Sequence, residues 1–170
     1  MASERRPAIV YYSRTGTTHH VAKDLAARLA DPVSLRIEPT RQRSYPNWLL
    51  RSFVPGSRVD IDPIETDLTS YDPVLFGSPK WTLSCPPVTD YLSRASLADV
   101  SVGLFLTFGG FDEERYAARL RDRLRERGAR VRSTVLVKRE TVGTDSYRRS
   151  LQGFLSEFPD ALVTRDGRRE

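Results

Sequence analysis

Apolar positions along this chain fall into alternating blocks of two periods. Residues 7–12 (Pro-Ala-Ile-Val-Tyr-Tyr) form a short apolar run that predicts a buried strand. Behind it Val21, Leu25 and Leu29 recur on one stripe, with Ala22 and Ala26 beside them, the spacing of a helix packed on a sheet. Asp31-Pro32 is expected to end that helix, and Val33-Ser34-Leu35-Arg36-Ile37 alternates as a half-exposed second strand. Residues 73–77 and 102–107 are nearly continuous apolar runs, the pattern of central parallel strands covered on both faces. Residues 131–137 supply a fifth strand. Pro86-Pro87 opens a helix with Val88, Tyr91 and Leu92 facing inward. Another starts near Asp112, carries the stripe Tyr116, Leu120, Leu124 and stops at Gly128. The last helix puts Tyr147, Leu151, Phe154, Leu155 and Phe158 on one face.

Residues 38–70 interrupt this rhythm. Pro39, Pro46, Pro55, Gly56 and Pro63 punctuate them, while Trp48, Leu49, Leu50, Phe53 and Val54 predict one short amphipathic helix. It is expected to cover a sheet face rather than to line a substrate mouth. The charged ends, residues 1–6 and 165–170, read as tails, the second one frayed. No repeat or low-complexity linker divides the chain, so residues 1–170 are expected to form one α/β domain, a parallel sheet with helices on both faces.

Chemistry concentrates in three loops, each following a strand. Ser13, Arg14, Thr15, Gly16, Thr17 and Thr18 lead from the first strand into the first helix. Free N–H groups and the positive end of the helix dipole converge there on an anion, the hydroxyls add neutral donors, and Gly16 permits close backbone approach. The loop has neither the lysine of a Walker loop nor G-x-G-x-x-G, which points to a single terminal phosphate rather than an NTP or dinucleotide. The bland alternative is a hydroxyl-rich helix cap, with Thr17 or Thr18 as the capping residue. The second loop, residues 78–85, presents Ser78, Pro79, Lys80, Trp81 and Thr82. The third presents Thr107, Phe108, Gly109, Gly110 and Phe111. Trp81, Phe108 and Phe111 are candidates to sandwich a flat heteroaromatic ring, although Phe108 and Phe111 read equally well as core.

Residues 13–18 resemble the S/T-x-T-G-x-T phosphate loop of flavodoxins, and most of the chain follows that family's plan. Residues 72–81 resemble its third strand and isoalloxazine-contacting loop, residues 86–92 its next helix, and residues 105–110 its fourth strand and second ring loop. The resemblance implies a flavodoxin-like doubly wound sandwich with strand order 2-1-3-4-5 and a ligand crevice at the C-terminal ends of strands 1 and 3. It also implies non-covalent FMN held by the residues of the three loops, with Trp81 against one ring face. An electron-transfer protein is then expected, acting on a redox partner protein or a small electron acceptor. The alternative is an FMN-dependent oxidoreductase of the NAD(P)H:quinone reductase or protoporphyrinogen oxidase type. A flavin-free binding domain is a lesser reading, because Phe76-Gly77-Ser78 stands where a receiver domain needs its phosphorylatable Asp.

Charge sharpens this picture. The net charge of +5 comes mostly from arginine, whereas the shuttles of the family are acidic. Arg14 and Lys80 fall within the loops expected to surround the flavin, and positive charge there stabilises an anionic reduced ring. The arginine-rich stretch 115–127 is interspersed with acids and reads as a solvated, salt-bridged face; no nucleic-acid motif accompanies it. The one cysteine, Cys85, excludes an internal disulfide, and with no membrane span or signal core a cytoplasmic protein is expected. Cys85 itself reads as a small buried hydrophobe. His19-His20 and the cluster Asp60, Asp62, Glu65, Asp67 read as surface rather than as metal ligands, and no catalytic residue can be assigned.

Overall fold

The computed structural model describes residues 5–41, 44–54 and 56–163, so the expected C-terminal tail lies outside the described residues. Five strands are present: β1 (Arg6–Tyr12), β2 (Val33–Ile37), β3 (Tyr71–Pro79), β4 (Ser101–Phe108) and β5 (Arg130–Lys138). Between and after them run α1 (Thr17–Ala26), α2 (Tyr45–Ser52), α3 (Pro86–Arg94), α4 (Glu113–Glu126) and α5 (Asp145–Leu155). All sheet pairings are parallel and the order is β2-β1-β3-β4-β5, as expected of the flavodoxin-like arrangement.

The period-2 alternation of the strands divides the core into two layers. Ala8, Val10 and Tyr12 join Val74, Phe76, Leu104 and Leu106 beneath α3 and α4. Ile9, Tyr11, Leu75 and Phe105 face α1 and α5, meeting Val21, Leu25, Leu151 and Phe154. Each fully buried large apolar side chain contributes about 1.5–3 kcal/mol relative to exposure. The second layer depends on a missing side chain in β3. A Cβ at Gly77 would lie 2.1 Å from the ring of Phe105, so that ring occupies the space which any other residue would fill.

Three boundaries differ from expectation. α1 stops at Ala26 because the next N–H groups fold into tighter i→i−3 turns, Arg28 to Leu25 and Leu29 to Ala26, ahead of Asp31 at φ 47°. Leu29 stays buried although it is no longer helical. Similarly α5 ends at Leu155, and Phe158 reaches the core from the turn beyond it. β3 runs on through Ser78 and Pro79, which pair with Leu106 and Thr107, so these two residues are strand rather than loop. The short helix α2 also departs from its expected role. It joins neither core layer: Trp48 is buried, while Leu50, Phe53 and Val54 are exposed.

Candidate functional site

The C-terminal ends of β1, β3 and β4 open onto a crevice of about 290 Å³. Arg14 and Thr15 line it from the first loop, Thr17 and Thr18 from the start of α1, Pro79 from the end of β3, and Lys80, Trp81 and Thr82 from the loop that follows. Thr107 and Phe108 come from the end of β4, and Gly109 and Gly110 from the turn after it. A larger cavity of about 560 Å³, walled by Arg6, Pro7, Asp72, Pro73 and Ser101, lies at the opposite, N-terminal edge of the sheet. Parallel α/β sheets bind ligands at the carboxyl ends of their strands, where helix N-termini point, so the smaller crevice is the candidate site.

At the start of α1, Gly16 is the N-cap, at φ 98°, a conformation that suits glycine. No side chain caps the helix. The Gly16 N–H turns back to Ser13 Oγ at 3.2 Å, which closes the turn, and the first helical bond runs from His20 N–H to the Gly16 carbonyl at 2.9 Å. The N–H groups of the first turn are therefore left without intrahelical partners. Thr18 is no cap: its hydroxyl meets that of Thr107 at 2.7 Å, both residues being buried. This bond ties the start of α1 to the end of β4. Ser13 shapes the turn from a buried position, and Ser78 is fully buried with its hydroxyl donating to the Pro79 carbonyl at 2.9 Å.

The aromatic wall centres on Trp81. Its ring is half-buried, packed edge-on against Tyr12 and tilted against Trp48, each with a centroid separation of 5.7 Å. α2 brings Trp48 and Leu49 into this wall and is latched to the second loop, Ser52 Oγ lying 2.6 Å from Thr82 Oγ1. α2 thus supplies one side of the site mouth instead of a sheet cover, while Ile61 and Leu68 of the same segment join the core layer with Val10 and Phe76. Trp48 keeps its buried Nε1–H without an acceptor among the described residues. Phe108 lines the crevice, but Phe111 does not. Its ring is 84% exposed, beneath Lys80 Nζ at 5.9 Å, so no three-ring sandwich forms.

Among the described residues, three cations, Arg14, Lys80 and Arg139, and no carboxylate line the crevice. Arg139 opens the turn Arg139–Thr141 after β5. It belongs to no motif and could be found only by placing β5 beside β4. Trp48 and Leu49 belong to the amphipathic helix expected to cover a sheet face, and they line the crevice instead. Histidines stand aside: His19 Nδ1 is 2.5 Å from the Tyr11 hydroxyl, and His20 pairs with Asp24 at 3.4 Å. Loss of hydration, reinforced by Arg36 and Lys23, lowers the pKa of His19, and burial raises that of Tyr11, so both partners of this hydrogen bond favour their neutral forms. No group of three metal-ligating side chains occurs among the described residues. Burial pushes the Cys85 thiol up to about 12, as suits a core residue.

The donor set suits a ligand with one phosphate and a flat heteroaromatic ring. Open helix N–H groups and hydroxyls stand at one end, and a half-buried indole at the other.

No protein-family model matches the chain. Among solved structures, a Bacteroides uniformis protein classed as a flavoprotein superposes with a TM-score of 0.73 at 19% identity, over 91% of this chain and 99% of that one. Oxidised flavodoxin 2 from Bacillus cereus gives 0.64 at 18% identity, over 91% and 99%. A Lactobacillus acidophilus flavoprotein in complex with FMN gives 0.57 at 17% identity, over 85% and 99%. An uncharacterised protein from Archaeoglobus fulgidus is 34% identical over 131 residues, 77% of this chain and 84% of its own length. The chain therefore has the flavodoxin-like fold and belongs to one family with the Archaeoglobus fulgidus protein.

Proposed function

We propose that the protein binds FMN non-covalently in this crevice and transfers electrons through it. The carrying observation is the uncapped start of α1, lined with hydroxyls, opening into the same cavity as the half-buried Trp81. In this reading the first-turn N–H groups, Thr15 and Thr17 hold the phosphate, while Ser13 and Gly16 hold the loop in shape. The Thr18–Thr107 bond fixes the phosphate end against β4. Trp81 and Phe108 flank the ring, with Pro79, Thr82, Gly109 and Gly110 around its edge; Ser78 supports this loop from beneath, and Phe111 lies outside. The flavin supplies the redox chemistry, and the chain orients it, limits water and sets its charge environment. The Lactobacillus acidophilus neighbour, solved with FMN, supports the choice of flavin. Titration of the protein with FMN, followed by quenching of flavin fluorescence, tests the reading. Uptake near one equivalent is expected, and a colourless protein that takes up none overturns it.

A carrier acting on a redox partner protein is one form of this function. The other is an FMN-dependent oxidoreductase for NAD(P)H with a quinone, or for a porphyrinogen. The charged residues described in the crevice lining, Arg14, Lys80 and Arg139, are all cations, which favours the second, because an acidic shuttle surface is not what the site presents to a partner. NAD(P)H added to the FMN-loaded protein bleaches the flavin band in the oxidoreductase case and leaves it unchanged for a bare carrier. No helix among the described residues is long and apolar enough to cross a membrane.

A further inference from the structure

Two of the cations in the crevice lie where a bound phosphate does not require them. Lys80 leaves the end of β3 half-buried, its backbone N–H bonded to the Thr107 carbonyl at 2.7 Å and its Nζ donating to the Trp81 carbonyl at 3.3 Å. Arg139 leaves the end of β5, exposed, with its guanidinium carbon 3.8 Å from the position that a Cβ on Gly109 would take. Since β4 lies between β3 and β5, the two side chains flank the loop 108–111 from opposite sides. Neither makes an ion pair among the described residues. Glu140, next to Arg139, is engaged by Lys138 at 2.6 Å, and Asp112, just beyond the third loop, lies 3.8 Å from Arg115. The helix start already offers neutral donors for one anion, so two uncompensated cations beside the third loop call for another.

We infer that Lys80 and Arg139 form an anion clamp at the mouth of the crevice, selecting a small redox substrate that carries a carboxylate, sulfonate or phosphate next to its ring. The inference rests on the flavin reading above and names the substrate class of that same site. Lys80 supplies a fixed point charge from the floor. Arg139 supplies a planar fork from the rim that can grip two oxygens at once. Substrates without the anionic group meet the same aromatic wall and lose only the clamp.

Two probes that differ by one anionic group test it: 1,4-naphthoquinone-2-sulfonate and 1,4-naphthoquinone, each titrated calorimetrically into the oxidised, FMN-loaded protein, so that no turnover occurs. The sulfonate is expected to bind about tenfold more tightly at low salt, in keeping with charge-assisted bonds from two cations, and to lose most of that margin in high salt. Arg139→Gln and Lys80→Gln should each reduce the preference at least ~3-fold and the double variant abolish it, whereas Arg139→Lys retains part. Thermal unfolding of each variant confirms that it is folded. Equal binding of the two probes by the unaltered protein, or a preference that survives in the double variant, overturns the clamp. So does an Arg139→Gln protein that loses its preference for FMN over riboflavin, because Arg139 then serves the cofactor's phosphate. Protein that takes up no FMN at all overturns the proposed function, and the clamp with it, so the two failures are told apart by flavin content.

Discussion

The hydroxyls of Thr18 and Thr107 meet at 2.7 Å, joining the first turn of α1 to the end of β4 across 89 residues of sequence. Both are nearly inaccessible, so each hydroxyl depends on the other for a partner. Thr107→Val leaves the Thr18 hydroxyl buried and unpaired, at a cost of about 1–3 kcal/mol. The expected outcome is a lower urea midpoint together with weaker FMN binding, because the phosphate end is no longer held against the third loop. A Thr107→Val protein with unchanged midpoint and unchanged FMN titration would show that the bond does neither.

Gly16→Ala separates backbone strain from ligand approach. Nothing lies within 4 Å of the added Cβ, so the free protein bears only the cost of a left-handed conformation, about 1–2 kcal/mol, which lowers the melting temperature by a few degrees. An anion seated against that backbone meets the new methyl group directly. FMN affinity is therefore expected to fall by a further factor of about ten or more, equivalent to ~1.4 kcal/mol. Equal losses for FMN and riboflavin would remove the phosphate from this loop.

Under the proposed function, Lys80 bears on the flavin's potential. A cation in the crevice wall stabilises negative charge on a reduced ring, and its removal makes reduction harder. Lys80→Gln is expected to lower the two-electron midpoint potential by an amount on the order of tens of millivolts, as one charge at several ångströms in a partly hydrated site implies. Redox titration against dyes measures it, and a potential unmoved or raised in the variant contradicts the assignment. The same charge predicts that the unaltered protein holds FMN at a less reducing potential than acidic flavodoxins do.

His19 gives a pH signature. Its pKa in the folded chain lies below the ordinary 6.5, mainly through lost hydration, so the unfolded chain takes up the proton more readily. The stability linked to this neutral ring is fully present above pH 6.5 and declines as pH falls below that value toward the folded pKa. Urea midpoints measured at pH 7.5 and pH 5 should show the decline, and His19→Asn should flatten it while losing the bond to Tyr11. An equal decline in the variant would assign the effect to other groups.

The strands were legible because their side chains answer to a single rule. Ile9 and Val10, Leu75 and Phe76 alternate between two buried layers, and buried parallel strands have no polar alternative. The residues of the three loops were legible by sequence position, since each follows such a strand. What each loop side chain does was harder to read. Phe111 and Trp81 are both aromatic residues in glycine- or proline-bearing loops. One is solvated and the other is wedged between Tyr12 and Trp48, and that outcome is decided by α2, whose own place depends on contacts distant in sequence. Arg139 was invisible for a related reason. It enters the crevice through the lateral order of β4 and β5, which no local pattern encodes. Pro79, expected in the loop after the third strand, instead ends β3, and at a strand's last position the missing N–H costs little.

Cys85 supplies a built-in reporter. It is the chain's single thiol, seated in the layer under α3 and α4 with its ionisation suppressed to about 12. Only a molecule whose packing has come apart there presents a thiolate to an alkylating reagent at neutral pH. The rate of Cys85 labelling thus becomes a clock for the opening of that layer, and a ligand that bridges the three loops should slow it.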